Sequence, residues 1–389
     1  MSIRSIRPTD WRLLVFSVAL LLLVACGGQT SKSDGADAGK KKQKKVPTSK
    51  KKAADATNKG KADWGVDICE RNDWYGDKAC DWFCPEDDPD CNLDPLGPEP
   101  SGSPAEHPIV LHHGFMGGRE GIWAFNGVAT ALRNDGHRVY QTEVPPFSSV
   151  EARANSLAAQ VDRLLSEAGN EKVNIVAHSM GGLDARYLVS SLDYADEVAS
   201  VTTISSPHRG TRIADAFLKI VPDATDEAVD AIAELAGDTF SDVADNSDVR
   251  AAMEDLAVEN SEKFDQNNPD SEDVYYQSWA GVSSVVGIRV DGVEKACEGE
   301  MLMHDGTMDH MDGLLWAAAA ITGGGTAMEI NDGMATIASA KWGNFRGCIP
   351  ADHLDQVGQI GDEEPDEDTG FDHIRFYRNL AFDLAERGF

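Results

Sequence analysis

Basic residues are scarce over most of this chain. Beyond residue 61, twenty-one lysines and arginines face sixty-two aspartates and glutamates. That stretch carries about −41 within a whole-chain charge of −31, and a body this acidic repels nucleic acid and excludes it as a partner. The imbalance suits solubility, calcium binding or a salty habitat, and names no substrate. Long apolar runs are also missing. The run at residues 13–25 is too short for a comfortable bilayer span. There is no internal repeat. Cysteine is sparse, with seven in 389 residues. Cys26 closes the apolar run and leaves an even six. In an oxidising compartment these read as two local bridges among Cys69, Cys80, Cys84 and Cys91, and one long-range bridge between Cys297 and Cys348.

The amino terminus has the marks of export. Arg4, Arg7 and Arg12 precede the apolar run, which ends Leu-Val-Ala-Cys. This end resembles the lipobox of bacterial lipoproteins. The resemblance implies a signal peptide at 1–25 and acyl chains on Cys26, each buried methylene contributing about 0.8 kcal/mol to anchorage. An ordinary signal peptide with a chance cysteine is the alternative. Gly27 lacks the aspartate associated with inner-membrane retention, which favours the outer membrane, on its periplasmic or surface face. Residues 26–62 are a tether too poor in large apolar groups to fold. Its eleven lysines between Lys32 and Lys61 touch anionic lipid or merely solvate a spacer.

Residues 63–92 pack four cysteines between turn signals and need disulfides in place of a core. The pattern resembles short cysteine-rich repeats of exported bacterial proteins. It leaves open calcium held by Asp77, Asp81, Asp87, Asp88 and Asp90, a purely disulfide-held knob, or zinc on the four cysteines. Residues 93–106 form a Pro/Gly/Ser linker, and 107–389 a single large domain.

That domain alternates strand and helix patterns. Residues 108–112 (PIVLH) read as a buried parallel strand, followed by the turn His113-Gly114-Phe115. Strand 137–146, helix 148–169, strand 173–176, helix 183–192 and a strand followed by a loop over 197–211 follow. Such alternation specifies an α/β fold with a mostly parallel sheet. Ser179, in Ala177-His178-Ser179-Met180-Gly181, therefore sits on a strand–turn–helix, where a strained turn exposes a nucleophile. Alanine stands where the usual pattern has glycine. The N–H groups of Met180 and Phe115 are the expected oxyanion donors.

The segments VNIVAHSMGGLDARY, TTISSPHRGT, IVLHHGF and NDG…DHLDQVGQ together resemble the bacterial triacylglycerol lipases of the Pseudomonas–Burkholderia type, over most of residues 107–389. The resemblance implies an α/β-hydrolase fold with a helical lid, here about 213–274, within which 223–240 reads as an amphipathic helix and 249–264 as another. It implies a Ser–Asp–His triad of Ser179, Asp332 and His353, with Asp305 as the fallback acid. His178 reads as packing, His112 and His113 as shaping the oxyanion loop, and His208 as a loop residue. A structural Ca2+ is implied on Asp312, Asp355, Gln359 and Glu363, with Asp309 as the alternative to Asp312. A Cys297–Cys348 disulfide is implied as well. Some of these lipases also need a dedicated folding chaperone.

The resulting expectation is an exported, membrane-anchored serine ester hydrolase acting on acylglycerols. Alternatives on the same triad are a phospholipase, an acyltransferase or a polyester depolymerase. An alternative of another kind is a non-catalytic surface-binding lipoprotein.

Overall fold

A computed structural model describes residues 66–72, 74–75, 84, 99–119, 123–169, 172–220, 247–285, 292–297, 300–301, 308–324, 329–359, 365–366 and 369–389. The chain divides at residue 46 into two units, and all described residues belong to the second. The expected signal peptide, Cys26 and the expected tether lie outside the described residues. So do Cys80, Cys91, the five candidate calcium aspartates of the cysteine-rich module, and the lid helix expected at 223–240. Among the described residues no helix is long and apolar enough to cross a membrane.

Of the stretch expected as a cysteine-rich module, residues 66–72, 74–75 and 84 are described. Helix α1 (Ile68–Arg71) is capped by Asp67, whose carboxylate accepts from the Cys69 and Glu70 amides. Cys69 is bonded to Cys84, so a disulfide stands where a piece this small has little apolar interior.

The large domain is built on a seven-stranded sheet. Its strands are β1 (Ile109–His112), β2 (Val139–Gln141), β3 (Val173–His178), β4 (Val198–Ile204), β5 (Tyr275–Gly281), β7 (Glu300–Met301) and β9 (Asn344–Ile349). They run in the order β2-β1-β3-β4-β5-β9-β7, with every pair parallel. β6 (Ser283–Ser284) and β8 (Asp309–His310) form a separate parallel pair.

β1, β3 and β4 are buried at every position because helices cover both faces. Val110, Ile175, Ala177 and Val201 face α3 (Val150–Ala168) and α4 (Gly181–Ser191). Ile109, Leu111, Val176 and Ile204 face α2 (Val128–Asn134) and α9 (His373–Glu386). The period-2 alternation of a strand sorts neighbours onto opposite layers. α3 begins at Ser149, whose hydroxyl accepts from Ala152, and ends at left-handed Gly169. Its apolar positions Ala154, Leu157, Ala158, Val161 and Leu164 fall on one face.

Two expectations differ from the structure. The strand expected over 137–146 pairs only over Val139–Gln141. One further bond, from Thr142 N to Leu111 O, continues it, and Pro145 and Pro146 then offer no N–H to a ladder. The helix expected across 249–264 is two helices, α6 (Ser247–Leu256) and α7 (Val258–Asn267), broken at extended Ala257. The break is made from outside. Asp215 of α5 (Arg212–Ile220) accepts the Val258 amide at 3.0 Å, and Thr211 N takes the Leu256 carbonyl at 2.8 Å. Gly210 sits so close that an added Cβ would lie 2.6 Å from Val258 Cα.

Candidate active site

Ser179 lies in the turn between β3 and α4 with a left-handed φ of 55°. Few non-glycine residues adopt that region, and it costs about 1–3 kcal/mol unless the surroundings impose it. They do so here. Ser179 N donates to Ile204 O at 2.9 Å, and Gly182 N donates back to Ser179 O at 3.1 Å. The flanks leave no room for side chains. A Cβ at Gly181 would lie 2.8 Å from His113 O, and one at Gly182 2.2 Å from Ser206 Oγ. Ala177 is different: its methyl is fully buried among the apolar side chains between sheet and helices. Alanine thus fits where the common pattern has glycine, and the crowding falls on Gly181 and Gly182.

The structure brings His353 and Asp332 together. His353 Nδ1 is 2.7 Å from Asp332 Oδ2, and both side chains are buried. Asp332 sits in the Asn331-Asp332-Gly333 turn, with Gly333 at φ 101°. An isolated bridge, Asn331 to Thr336, closes that turn. His353 N donates to Asp332 O at 2.8 Å, which locks the two loops. Burial pushes the Asp332 carboxyl up. The His353 ring, the Ala335 amide and Gln356 overcome that and hold it at about 2. His353 lies between Trp123 at 5.8 Å and His178 at 4.5 Å. His178 is buried, and desolvation together with the neighbouring His353 drives its pKa well below the usual value.

Ser179 and His353 line one small apolar cavity of ≈50 Å³ with Phe115, Met116, Met253 and Met334. Ile213 of α5 and Leu256 of α6 also border it. Gly114 lies against the serine, since a Cβ there would come within 2.6 Å of Ser179 Cβ. The backbone N–H groups of Phe115 and Met180 take no hydrogen bond among the described residues.

The loop bearing Phe115 is held from behind. Arg153 of α3 donates through Nη2 to His113 O at 2.7 Å and through Nη1 to Pro145 O at 2.9 Å. Its charge is met by buried Asp184 at 2.8 Å. His112 Nε2 lies 2.9 Å from that same Asp184 oxygen, and its Nδ1 2.7 Å from Thr142 Oγ1. His113 accepts the Val144 amide on Nε2 and donates Nδ1–H to Gly114 O. Burial and the adjacent His112 and Arg153 push His113 down to about 3, so it stays neutral. His208 does not line the cavity and is set between Thr203 Oγ1 and Arg186.

Gln356 was not among the expected site residues. Its Nε2 donates to Asp332 Oδ2 at 2.9 Å, so Asp332 receives four hydrogen bonds. The others come from the His353 ring and from the Met334 and Ala335 amides. A glutamine three residues beyond a histidine carries no chemical signal in the sequence.

Three carboxylates, Asp309, Asp352 and Asp355, place ligand oxygens within 4.8 Å of one another. Asp352 anchors the loop of His353, accepting from the amides of Leu354, Asp355 and Asp312. Asp312 therefore reaches the cluster through its backbone, with its charge nearby. Burial and the charges of Asp352 and Asp366 push Asp309 up to about 8, and burial pushes Asp352 to about 6. Asp309 Oδ2 is buried without a hydrogen-bond partner. Gln359 donates its side-chain amide to Ala124 O at 2.7 Å. Glu363 lies outside the described residues, as does Asp305. Cys297 and Cys348 are bonded and tie α8 (Val293–Ala296) to β9.

A family model described as the alpha/beta hydrolase fold matches residues 107–281. The triacylglycerol lipase of Vibrio cholerae is 31% identical over 247 residues, covering 53% of this chain and 78% of that protein. That of Burkholderia plantarii is 36% identical over 115 residues, 28% of this chain and 32% of that protein. Among solved structures, EstA from Clostridium botulinum is similar with a TM-score of 0.51 at 18% identity, covering 87% of this chain and 99% of that one. By these similarities, together with the parallel sheet and the serine turn, the chain belongs to the α/β-hydrolase lipase family and is an ester hydrolase of it.

Proposed function

We propose that the chain is a triacylglycerol lipase or carboxylesterase that cleaves acylglycerol esters through an acyl-enzyme on Ser179. The observation that carries this is the 2.7 Å His353–Asp332 contact beside an apolar cavity shared by His353 and Ser179. Ser179 Oγ attacks the ester carbonyl, and His353 Nε2 takes the hydroxyl proton. Asp332 fixes the tautomer with Nδ1–H directed at itself and stabilises the imidazolium that forms. The carbonyl oxygen becomes an oxyanion facing the N–H groups of Phe115 and Met180, reinforced by the start of α4. Collapse breaks the ester C–O bond, and His353 returns the proton to the leaving alcohol. Water then repeats the sequence and frees the acid.

The methionine- and leucine-lined cavity favours an acyl chain over a charged group. α5 and α6 border it, within the span expected for a lid, and a lipid surface is the expected trigger for their movement. Hydrolysis of nitrophenyl esters of graded chain length, alongside Ser179→Ala, tests the reading. Full activity in that variant would sink it.

We assign Ca2+ to Asp309, Asp352 and Asp355, with Asp312 beside them. A hard cation suits an all-oxygen set, and the partnerless Asp309 oxygen supports the fit. The ion would neutralise the cluster and pin the loop of His353, a structural contribution. Chelation is expected to lower the melting temperature of the inactive Ser179→Ala protein too. An unchanged melting temperature contradicts the assignment. Acyl anchorage through Cys26 completes the proposal. Metabolic labelling with a fatty acid should mark the wild-type chain and not Cys26→Ser.

A further inference from the structure

Among the described residues, three arginines without a carboxylate partner share one cleft. Nine arginines of the large domain each lie within 4.0 Å of a carboxylate. Arg119, Arg133 and Arg163 have no such partner among the described residues, and all three line a single cleft of ≈300 Å³ at the β2 edge of the sheet. With sixty-six acidic residues against thirty-five basic ones, three guanidiniums without a carboxylate partner in one place depart from the pairing that nine other arginines of the domain show. Glu167, one turn beyond Arg163 on α3, borders the cleft but makes no ion pair with any of them.

The cleft is partly preorganised. Arg133 donates Nε and Nη2 to Val139 O at 3.2 and 2.8 Å, which fixes its plane while leaving its charge uncompensated. Tyr140 borders the cleft, and buried Val161 and Leu164 supply an apolar wall. Guanidinium forks match the oxygen geometry of phosphate. A single carboxylate satisfies one fork, whereas three guanidiniums call for an anion with more acceptor oxygens. On a body that repels anions elsewhere, a local positive cleft is where such a ligand settles.

We infer that Arg119, Arg133 and Arg163 form a binding site for a phosphate group, separate from the ester-cleaving site. The apolar wall admits a phosphate carried on an organic group, such as a phospholipid headgroup, and free phosphate shares the same chemistry.

The full chain is titrated with inorganic phosphate and with pyrophosphate at constant ionic strength, followed by calorimetry and melting temperature. Co-sedimentation with vesicles of phosphatidylcholine, with and without phosphatidylglycerol, runs in parallel. Arg163→Gln removes an exposed guanidinium with no partner to lose, and Arg250→Gln is the control away from the cleft. Ester hydrolysis of a soluble substrate reports folding of both. Saturable binding of either anion by wild type and control, about tenfold weaker in Arg163→Gln, is expected from the loss of one charge-assisted contact. A matching deficit on phosphatidylglycerol vesicles identifies the headgroup as the source. Anion binding with no vesicle deficit identifies free phosphate. Equal behaviour of wild type and Arg163→Gln in both assays overturns the site.

Discussion

Replacing Gln356 by leucine tests how Asp332, the proposed triad acid, is held. Asp332 is fully buried and stays ionised because four donors surround it. Gln356 Nε2 is one of the two on Oδ2, at 2.9 Å. A hydrogen bond to a buried carboxylate is worth about 1.5–3 kcal/mol. Its loss leaves the desolvation that opposes ionisation less compensated, so the Asp332 pKa rises from about 2. An acid that no longer holds the His353 tautomer slows both chemical steps. The expectation is a kcat lower by about tenfold to a hundredfold, with the acid limb of the pH profile moved upward and KM little changed. A second perturbation reaches the same group from behind. A Cβ at Gly281 would lie 1.9 Å from Gln356 Nε2, so Gly281→Ala displaces the amide without removing it. The assay is kcat and KM against pH for wild type, Gln356→Leu and Gly281→Ala. A leucine variant with wild-type kcat and an unmoved acid limb would refute the reasoning, whatever its stability.

Two further outcomes follow from the same structure. The Asp332 carboxyl is held below its usual value of 3.8, at about 2. It therefore contributes about 2 kcal/mol of stability at pH above 4, and this is lost as pH falls from there toward 2. Asp332→Ala should flatten the acid denaturation curve in that window, and an unchanged slope contradicts the assignment. The Cys297–Cys348 bridge closes a separation of 51 residues. Loop-closure entropy puts its removal by a double alanine substitution at about 4 kcal/mol. Denaturant unfolding that shows no loss would show that this loop is already constrained in the unfolded chain.

The serine turn was legible in the sequence because a contiguous run of residues encodes its surroundings. β3, the strained serine and Gly181 occupy one short stretch, and small residues there report crowding directly. Asp332 and His353 were expected only through the lipase resemblance, since Asn-Asp-Gly by itself is an ordinary turn and His353 is one histidine among ten. Residues whose part arises from distant convergence were not legible. Asp309 was expected only as the alternative to Asp312, and its meeting with Asp352 was not readable, since the pairing of β8 beside β6 spans two residues each and leaves no periodic pattern. Gln356 and Arg153 act on Asp332 and on the His113 carbonyl only once separate loops are docked. The break at Ala257 was hidden for the same reason. The helical pattern runs through it, and the groups that interrupt it, Asp215 and Gly210, come from more than forty residues away.

The central claim is that Ser179 is the nucleophile activated by His353. Incubating the full chain with an alkylphosphonate ester and mapping the adduct by peptide mass spectrometry measures this directly. The account predicts one stoichiometric adduct on Ser179, formed at a rate that collapses in His353→Ala, with ester hydrolysis lost in step with labelling. Labelling elsewhere, or complete labelling of Ser179 with hydrolysis undiminished, would contradict it.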